Sequence, residues 1–353
     1  MDTLVRKIVI FFFMVGLFSL LSFFADLIIP LVFAGLMAML FQPIVLYMAK
    51  NKYTKVLIVP SITIITAAIG MIIFLILSAS MGGFISESDY LYDRLNTKLF
   101  FVFQELSLWI QSITGSKVEL STIALSMLSA GNIQSIANYL VTSTTHYLTA
   151  FFMFLFYFVI FLYTLPEYKS YLLYVGGDSR GKTLISAYEK IQKTVQSYVV
   201  MKTIIAFATG FLVWLTCIIM DVQFAFLWGF IVFILDFIPF IGSLFAILLP
   251  TAMGFVVFDS TGTLFVFFLI LFAIQQITGN ILEPVLMGNQ LNLNTITAMA
   301  GLVFWGSIWG VAGMLLAIPL LVVLKMIFEE TEDLSFLGRL MGGPKDVVKK
   351  IVF

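Results

Sequence analysis

Charge is what this chain has least of. Only 11% of its 353 residues are Asp, Glu, Lys or Arg, against roughly 25% in an ordinary domain. With 61% hydrophobic residues and a mean hydropathy of +1.10, a soluble globular chain is excluded. The formal net charge is zero, and no basic stripe with interleaved aromatics runs through the chain, which argues against nucleic acid as a partner. The single cysteine, Cys217, can form no internal disulfide and supplies no metal cluster, so it reads as a packing residue. His146 is the only histidine; it is placed at the start of an apolar run, as a pH switch or as an incidental interfacial residue. No nucleotide-binding glycine loop, HExxH or nucleophile–base pair occurs. No enzyme activity, cofactor or metal site is therefore expected, and active transport would have to draw on an ion gradient or a membrane potential.

What the chain has instead is long uncharged sequence. Ile8–Ala25, Leu27–Ala49, Val56–Ser86, Leu120–Pro166, Thr203–Met220, Phe237–Phe258, Ser260–Leu282 and Pro284–Leu324 carry no charged residue. A membrane-spanning helix needs about 20 apolar residues, so the fold expected is all-α: a polytopic helix bundle of about eight spans, with broken or re-entrant helices in its C-terminal half. Arg6-Lys7 before the first run resembles a signal peptide, but the run is too long and no cleavage site follows, so an uncleaved span is expected. Spans are placed at 8–25, 27–48, 56–80, 147–165, 202–220, 223–239, 241–258, 263–281 and 301–325. Asp26 and Pro30 imply a tight hairpin between the first two.

Charge orders the rest. Lys50, Lys52 and Lys55 mark a short basic loop, cytoplasmic by the positive-inside rule, with the N-terminus on the same side. Region 81–146 has three basic and five acidic residues and lies outside by parity. Its Leu91, Leu95, Leu99, Val102, Leu106 and Trp109 recur at helical spacing, which predicts an amphipathic helix at 89–111, with a second at 120–140. Loop 166–202 has six basic and three acidic residues and reads as cytoplasmic. Its stripe of Leu184, Tyr188, Ile191, Val195 and Tyr198 suits a helix lying in the interface plane or one that docks a partner. The domains expected are thus 1–80, N-terminal spans; 81–146, an extracytoplasmic insert; 147–165, a span; 166–202, a cytoplasmic linker helix; 203–327, a transport core; and 328–353, a polar tail whose basic residues lean towards the cytoplasm.

Two broken stretches carry the functional reading. Asp236-Phe237-Ile238-Pro239-Phe240-Ile241-Gly242 puts a carboxylate, a proline and a glycine inside apolar sequence. A mid-bilayer carboxylate costs at least a few kcal/mol, and proline frees backbone groups that hydrocarbon cannot satisfy. Placed at depth, Asp236, Pro239 and Gly242 would line a polar path; placed at the interface, they form a turn. The second stretch holds Gln276, Asn280 and Glu283 at three-and-four spacing on one helical face, followed by Pro284. They serve either as an interhelical clamp or as substrate or ion contacts. The amide-rich run after it, with Asn292 and Asn294, reads as a re-entrant or cavity-lining loop. Gly306, Gly310 and Gly313 allow close helix packing. No lysine or arginine is expected within the membrane beside the two carboxylates, which makes an ion site thin.

These blocks, with Gln275-Gln276-x-x-Gly279-Asn280-x-x-Glu283-Pro284-x-x-x-Gly288 and Gly306-x-x-x-Gly310-x-x-Gly313 leading to Pro319, resemble the autoinducer-2 exporter family of bacterial polytopic proteins. Thr295 stands where many members have proline. The resemblance implies about eight membrane helices, a bacterial inner-membrane location and homo-oligomeric assembly, with a pentamer as the expected form. It also implies export of a small polar signal in some members and sodium–proton antiport in others. The function expected is export of a small polar solute, of the autoinducer-2 type. Sodium or lithium exchange for protons is the alternative, and a non-transport membrane scaffold is the third. The partners expected are the lipid bilayer, a small polar solute or monovalent cation, and further copies of the chain.

Overall fold

A computed structural model describes residues 3–50, 55–114, 130–287 and 292–342. The outer part of the expected 120–140 helix and residues 288–291 of the amide-rich loop lie outside these, as do the side chains of 115–146, His146 included. The helices are α1 (Thr3–Phe23), α2 (Ala25–Lys50), α3 (Lys55–Ser86), α4 (Ser88–Thr114), α5 (Ala130–Thr164), α6 (Tyr168–Ile219), α7 (Ala225–Leu235), α8 (Ile241–Val257), α9 (Thr261–Gln275), α10 (Thr295–Glu330) and α11 (Ser335–Met341). No strand forms among the described residues; one antiparallel bridge joins Leu293 to Gly342. Six helices are long and apolar enough to cross a bilayer: Ala25–Met48, Lys55–Ser86, Tyr147–Thr164, Arg180–Ile219, Thr261–Met287 and Thr295–Glu330. The chain is an all-α, multi-pass membrane bundle.

Four of the expected elements take a different form. First, α1 and α2 are separated by Phe24 alone, whose N–H bonds to Leu20 and whose carbonyl accepts from Ile28. The joint is a one-residue break in a helical ladder rather than the loop of a tight hairpin. Leu21's carbonyl instead accepts the Trp309 indole N–H at 2.9 Å.

Second, the apolar stripe expected to lie in the interface plane continues unbroken into a span. The chain reverses at Gly177 (φ 65°), where a Cβ on Gly181 would sit 2.9 Å from Leu173 Cα. Lys169 then meets Glu189 at 2.6 Å across this turn. From there α6 runs straight to Ile219, burying Val195 and Tyr198 against Met287, Ile318 and Val322. A face that packs on protein needs no lipid headgroups.

Third, α7 has eleven residues, about 16 Å at 1.5 Å per residue, which is half the ~30 Å hydrocarbon thickness. The expected full spans at 223–239 and 241–258 form one hairpin, α7–α8, reversing at Asp236–Phe240. Fourth, the expected span at 301–325 also reverses, at Gly310 (φ 59°, ψ −139°). Its two arms pack on each other: a Cβ on Gly301 would meet the Leu321 side chain, one on Gly306 the Met314 side chain, and one on Gly313 would fall 1.9 Å from the Trp305 carbonyl. The small residues thus serve packing within this hairpin.

The α7–α8 hairpin starts beside the end of α3 and finishes beside α4. Phe224 packs on Phe84, while Arg94 and Lys98 of α4 hold Asp259 at 2.8 and 3.5 Å. Lys98 Nζ also donates to the carbonyls of Phe255 and Phe258, closing the last turn of α8 as a cation there should. Helix α10 enters from the opposite end. Its N-cap, Asn294, accepts from Thr297 N–H at 2.7 Å and donates to the carbonyls of Leu340 and Gly342 at 2.7 and 3.1 Å. Two hairpins therefore insert from opposite ends of the bundle. Phe233 of α7 and Phe237 of the turn after it border one cavity with Leu316 and Pro319 of α10. Helices α2, α3 and α5 form a separate packed unit around Phe158 and Leu162.

Candidate functional site

The Asp236–Gly242 break begins with ordinary helical bonding, the N–H of Asp236 reaching Val232 O at 2.9 Å. Pro239 can donate nothing, and the chain turns on a three-residue loop in which Ile241 N–H reaches Pro239 O at 2.7 Å. Phe240, at its centre, has φ 64° and ψ −53°, a strained γ-turn geometry rare for a side-chain-bearing residue. Gly242 fits because a Cβ there would lie 1.9 Å from the Leu235 carbonyl. The break thus faces Asp236 sideways, 4% exposed, toward the neighbouring helices.

Opposite it, α9 widens. Residues Gln276–Leu282 form a π turn before the last helical turn, Glu283–Met287. Pro284 accounts for this: its ring clashes with the carbonyl four residues back and it has no N–H to offer, and a π turn is one way to absorb such a defect. The wide turn stacks Asn280 on Gln276, whose side-chain oxygen accepts from Asn280 Nδ2.

Between the two breaks stands Lys202 of α6, 5% exposed. Its Nζ lies 2.8 Å from Glu283 Oε2 and 3.2 Å from Asp236 Oδ2. Gln275 Nε2 donates to Asp236 Oδ1 at 3.5 Å. Asp236 Oδ2 has the ammonium beside it but no partner in hydrogen-bonding geometry. This ion cluster corrects the expectation of carboxylates without a membrane-embedded cation: Lys202, assigned above to a cytoplasmic loop, lies within the Arg180–Ile219 span. A signal for it existed. Lys202 extends the stripe Ile191, Val195, Tyr198 by four, and a cation on a face that is otherwise apolar belongs to the interior.

The cluster lines a cavity of about 460 Å³. Asp236, Pro239, Gln276, Asn280 and Glu283, all singled out in the sequence, border it, joined by Lys202, Ser243, Gln275, Gly279 and the apolar side chains of Ile238, Phe240, Leu244 and Ile247. Gly242 and Pro284 shape the breaks without bordering it. Asn292 and Asn294 are elsewhere. Asn292 (φ 46°) offers its carbonyl to the buried Lys325 ammonium at 2.8 Å, and Asn294 caps α10 and ties down the tail. The Asn292 backbone carbonyl and the Asn294 side chain thus serve chain closure, and neither residue borders this cavity.

An ion cluster at a pair of helix breaks, one of them the tip of the α7–α8 hairpin, is the arrangement of a membrane transport protein of the discontinuous-helix kind. The chain belongs to the AI-2E family of transporters, whose family model matches residues 8–333. It is similar to the AI-2 transport protein TqsA of Escherichia coli strain K12, 28% identical over 311 residues, covering 88% of each chain. It is also similar to YhhT of the same strain, named as a transport protein, at 26% identity over 332 residues covering 90% of this chain and 88% of that one. YueF of Bacillus subtilis strain 168, likewise named as a transport protein, is 24% identical over 321 residues, covering 87% and 84%.

Proposed function

We propose that this protein is a secondary transporter that exports a small polar solute across a bacterial inner membrane. The Asp236–Gly242 and Gln276–Glu283 breaks line the path, and proton exchange at the Lys202–Asp236–Glu283 cluster drives it. The observation that carries this reading is the cluster itself. Gathering three ionisable groups in an apolar bundle is costly in desolvation, and their place beside a polar-lined cavity favours a functional role over a purely structural tie. The family membership and a relative named for AI-2 transport support a small polar solute as cargo. Sodium or lithium exchange for protons remains the second reading, favoured by the excess of one carboxylate over ammonium in the cluster.

Gln276 and Asn280 are exposed on the outer surface of α9, between exposed Ile277 and Ile281. Polar amides among lipid-facing residues favour a homo-oligomer in which another copy covers the cavity's mouth. The test is flux into proteoliposomes of wild type and of Asp236→Asn, Glu283→Gln and Asn280→Ala, with internal pH recorded. Loss of flux in the carboxylate variants is expected; unaltered flux in all three sinks the proposal.

A further inference from the structure

The cavity's charge and walls identify a kind of cargo. The charged or titratable groups facing the cluster are Lys202 and, one turn before it, buried Tyr198 on α6, Asp236 at the α7–α8 reversal and Glu283 on α9. The other polar lining residues, Ser243, Gln275, Gln276 and Asn280, are neutral. One ammonium against two carboxylates leaves one formal negative charge. An uncompensated charge in a low-dielectric interior is costly, so the site is complete only when a proton or a monovalent cation joins it. An anion is repelled, and a neutral solute leaves the charge standing.

Size and wall chemistry choose among cations. At about 30 Å³ per water, a cavity of about 460 Å³ has room for roughly fifteen. That is far more than the oxygen shell of a bare alkali ion. The lining joins amides and carboxylates to Ile238, Phe240, Leu244 and Ile247, whose side chains offer an inorganic ion no ligand but suit a hydrocarbon or aromatic body, and an aromatic ring attracts a cation. Glu283, 33% exposed at its side chain against 3% for Asp236, is the carboxylate a proton can reach.

We infer that this cavity takes an amphipathic monovalent organic cation, such as a substituted ammonium, and exchanges it one-for-one with a proton held on Glu283. Lys202 acts as the tethered competitor for the same carboxylates. This rests on the reading of the cavity as the transport site. The exchange is electroneutral: the proton leaves Glu283 as the cation arrives, and returns as the cation departs.

Benzyltrimethylammonium is the probe, since its fixed charge prevents passage as a neutral base. In proteoliposomes of the full chain with an acidic lumen, wild type should take up the labelled cation with one proton leaving per cation. Uptake should fall at least tenfold in Glu283→Gln and Asp236→Asn. In detergent, Lys202→Gln should bind the cation about tenfold more tightly, whereas Lys202→Arg, which keeps the competing charge, should show no such tightening. The arginine variant guards against a folding defect in the glutamine one. Proton exchange for sodium but not for the probe overturns the inference, as does an absence of both binding and uptake in wild type. Carboxylate-dependent flux of ribose with no response to the probe overturns it too, while leaving the transport site standing. Probe exchange that persists unchanged in both carboxylate variants strikes the site itself.

Discussion

Lys202 and Glu283 meet at 2.8 Å across the α6–α9 interface, joining a continuous helix to one widened by its own proline. Removing one partner from a buried ion pair costs about 3–5 kcal/mol; Glu283 is a third exposed, which lowers the expectation for Lys202→Met to about 2–3 kcal/mol after solvent screening. Thermal unfolding in detergent should drop by several degrees. The double variant Lys202→Met/Glu283→Gln should recover part of that loss, and strict additivity of the two single effects would show that the pair is not coupled.

Gly242→Ala should be more damaging than its size implies. The added methyl would fall 1.9 Å from the Leu235 carbonyl, so the reversal must open and Asp236 must move. Circular dichroism should retain the helices while melting comes early and flux is lost. A variant with wild-type melting and flux would show that the reversal adapts freely.

At Gly310 the constraint is backbone rather than contact. Its φ of 59° with ψ of −139° is costly for an L side chain, about 1–3 kcal/mol. Gly310→Ala should lower the melting temperature and weaken the Trp309–Leu21 hydrogen bond, read as a red shift or quench of tryptophan emission.

On the α4 side, Lys98 and Asp259 differ in what they hold. Lys98 is mostly buried and closes the end of α8, whereas Asp259 is 80% exposed and meets only cationic side chains. Hydrogen exchange at 254–260 should therefore quicken several-fold in Lys98→Ala and much less in Asp259→Asn. High salt should mimic only the second change. Equal effects would contradict the capping role.

Asn294→Ala removes an N-cap worth about 0.5–2 kcal/mol and two bonds to the tail. Limited proteolysis should then cut beyond Glu330 sooner than in wild type, with transport-site ligand binding retained. A protease pattern identical to wild type would rule out the clamp.

Much of the bundle was legible because uncharged run length and basic loops report directly on lipid and water. Helix α4 followed from the spacing of Leu91, Leu95 and Leu99, and four of the cavity's polar lining residues, Asp236, Gln276, Asn280 and Glu283, stood out as polar groups in apolar sequence. What composition cannot report is whether an apolar run is straight. Both 223–258 and 301–325 have the content of spanning helices, and only Phe240's γ-turn and Gly310's positive φ show the reversals. The apolar stripe ending at Tyr198 looked lipid-facing because periodicity does not distinguish a lipid neighbour from a protein one. That same ambiguity hid Lys202. Asn294 misled in the other direction, since a side-chain amide can satisfy its own chain as readily as a solute.

The two reversals also set the path of the chain through the bundle. A segment that folds back emerges where it entered, so neither α7–α8 nor α10 counts as a crossing. From Lys55, α3, α5, α6 and α9 make an even number of passages and bring Glu330 back to the end of the bundle where α3 starts. The surface ion pairs sort accordingly: Lys55 with Glu167 and Lys190 with Glu330 on one face, Arg94 with Asp259 on the other. Each compartment can thus act on its own set of contacts, and ionic conditions on one side of the bilayer leave the opposite set untouched.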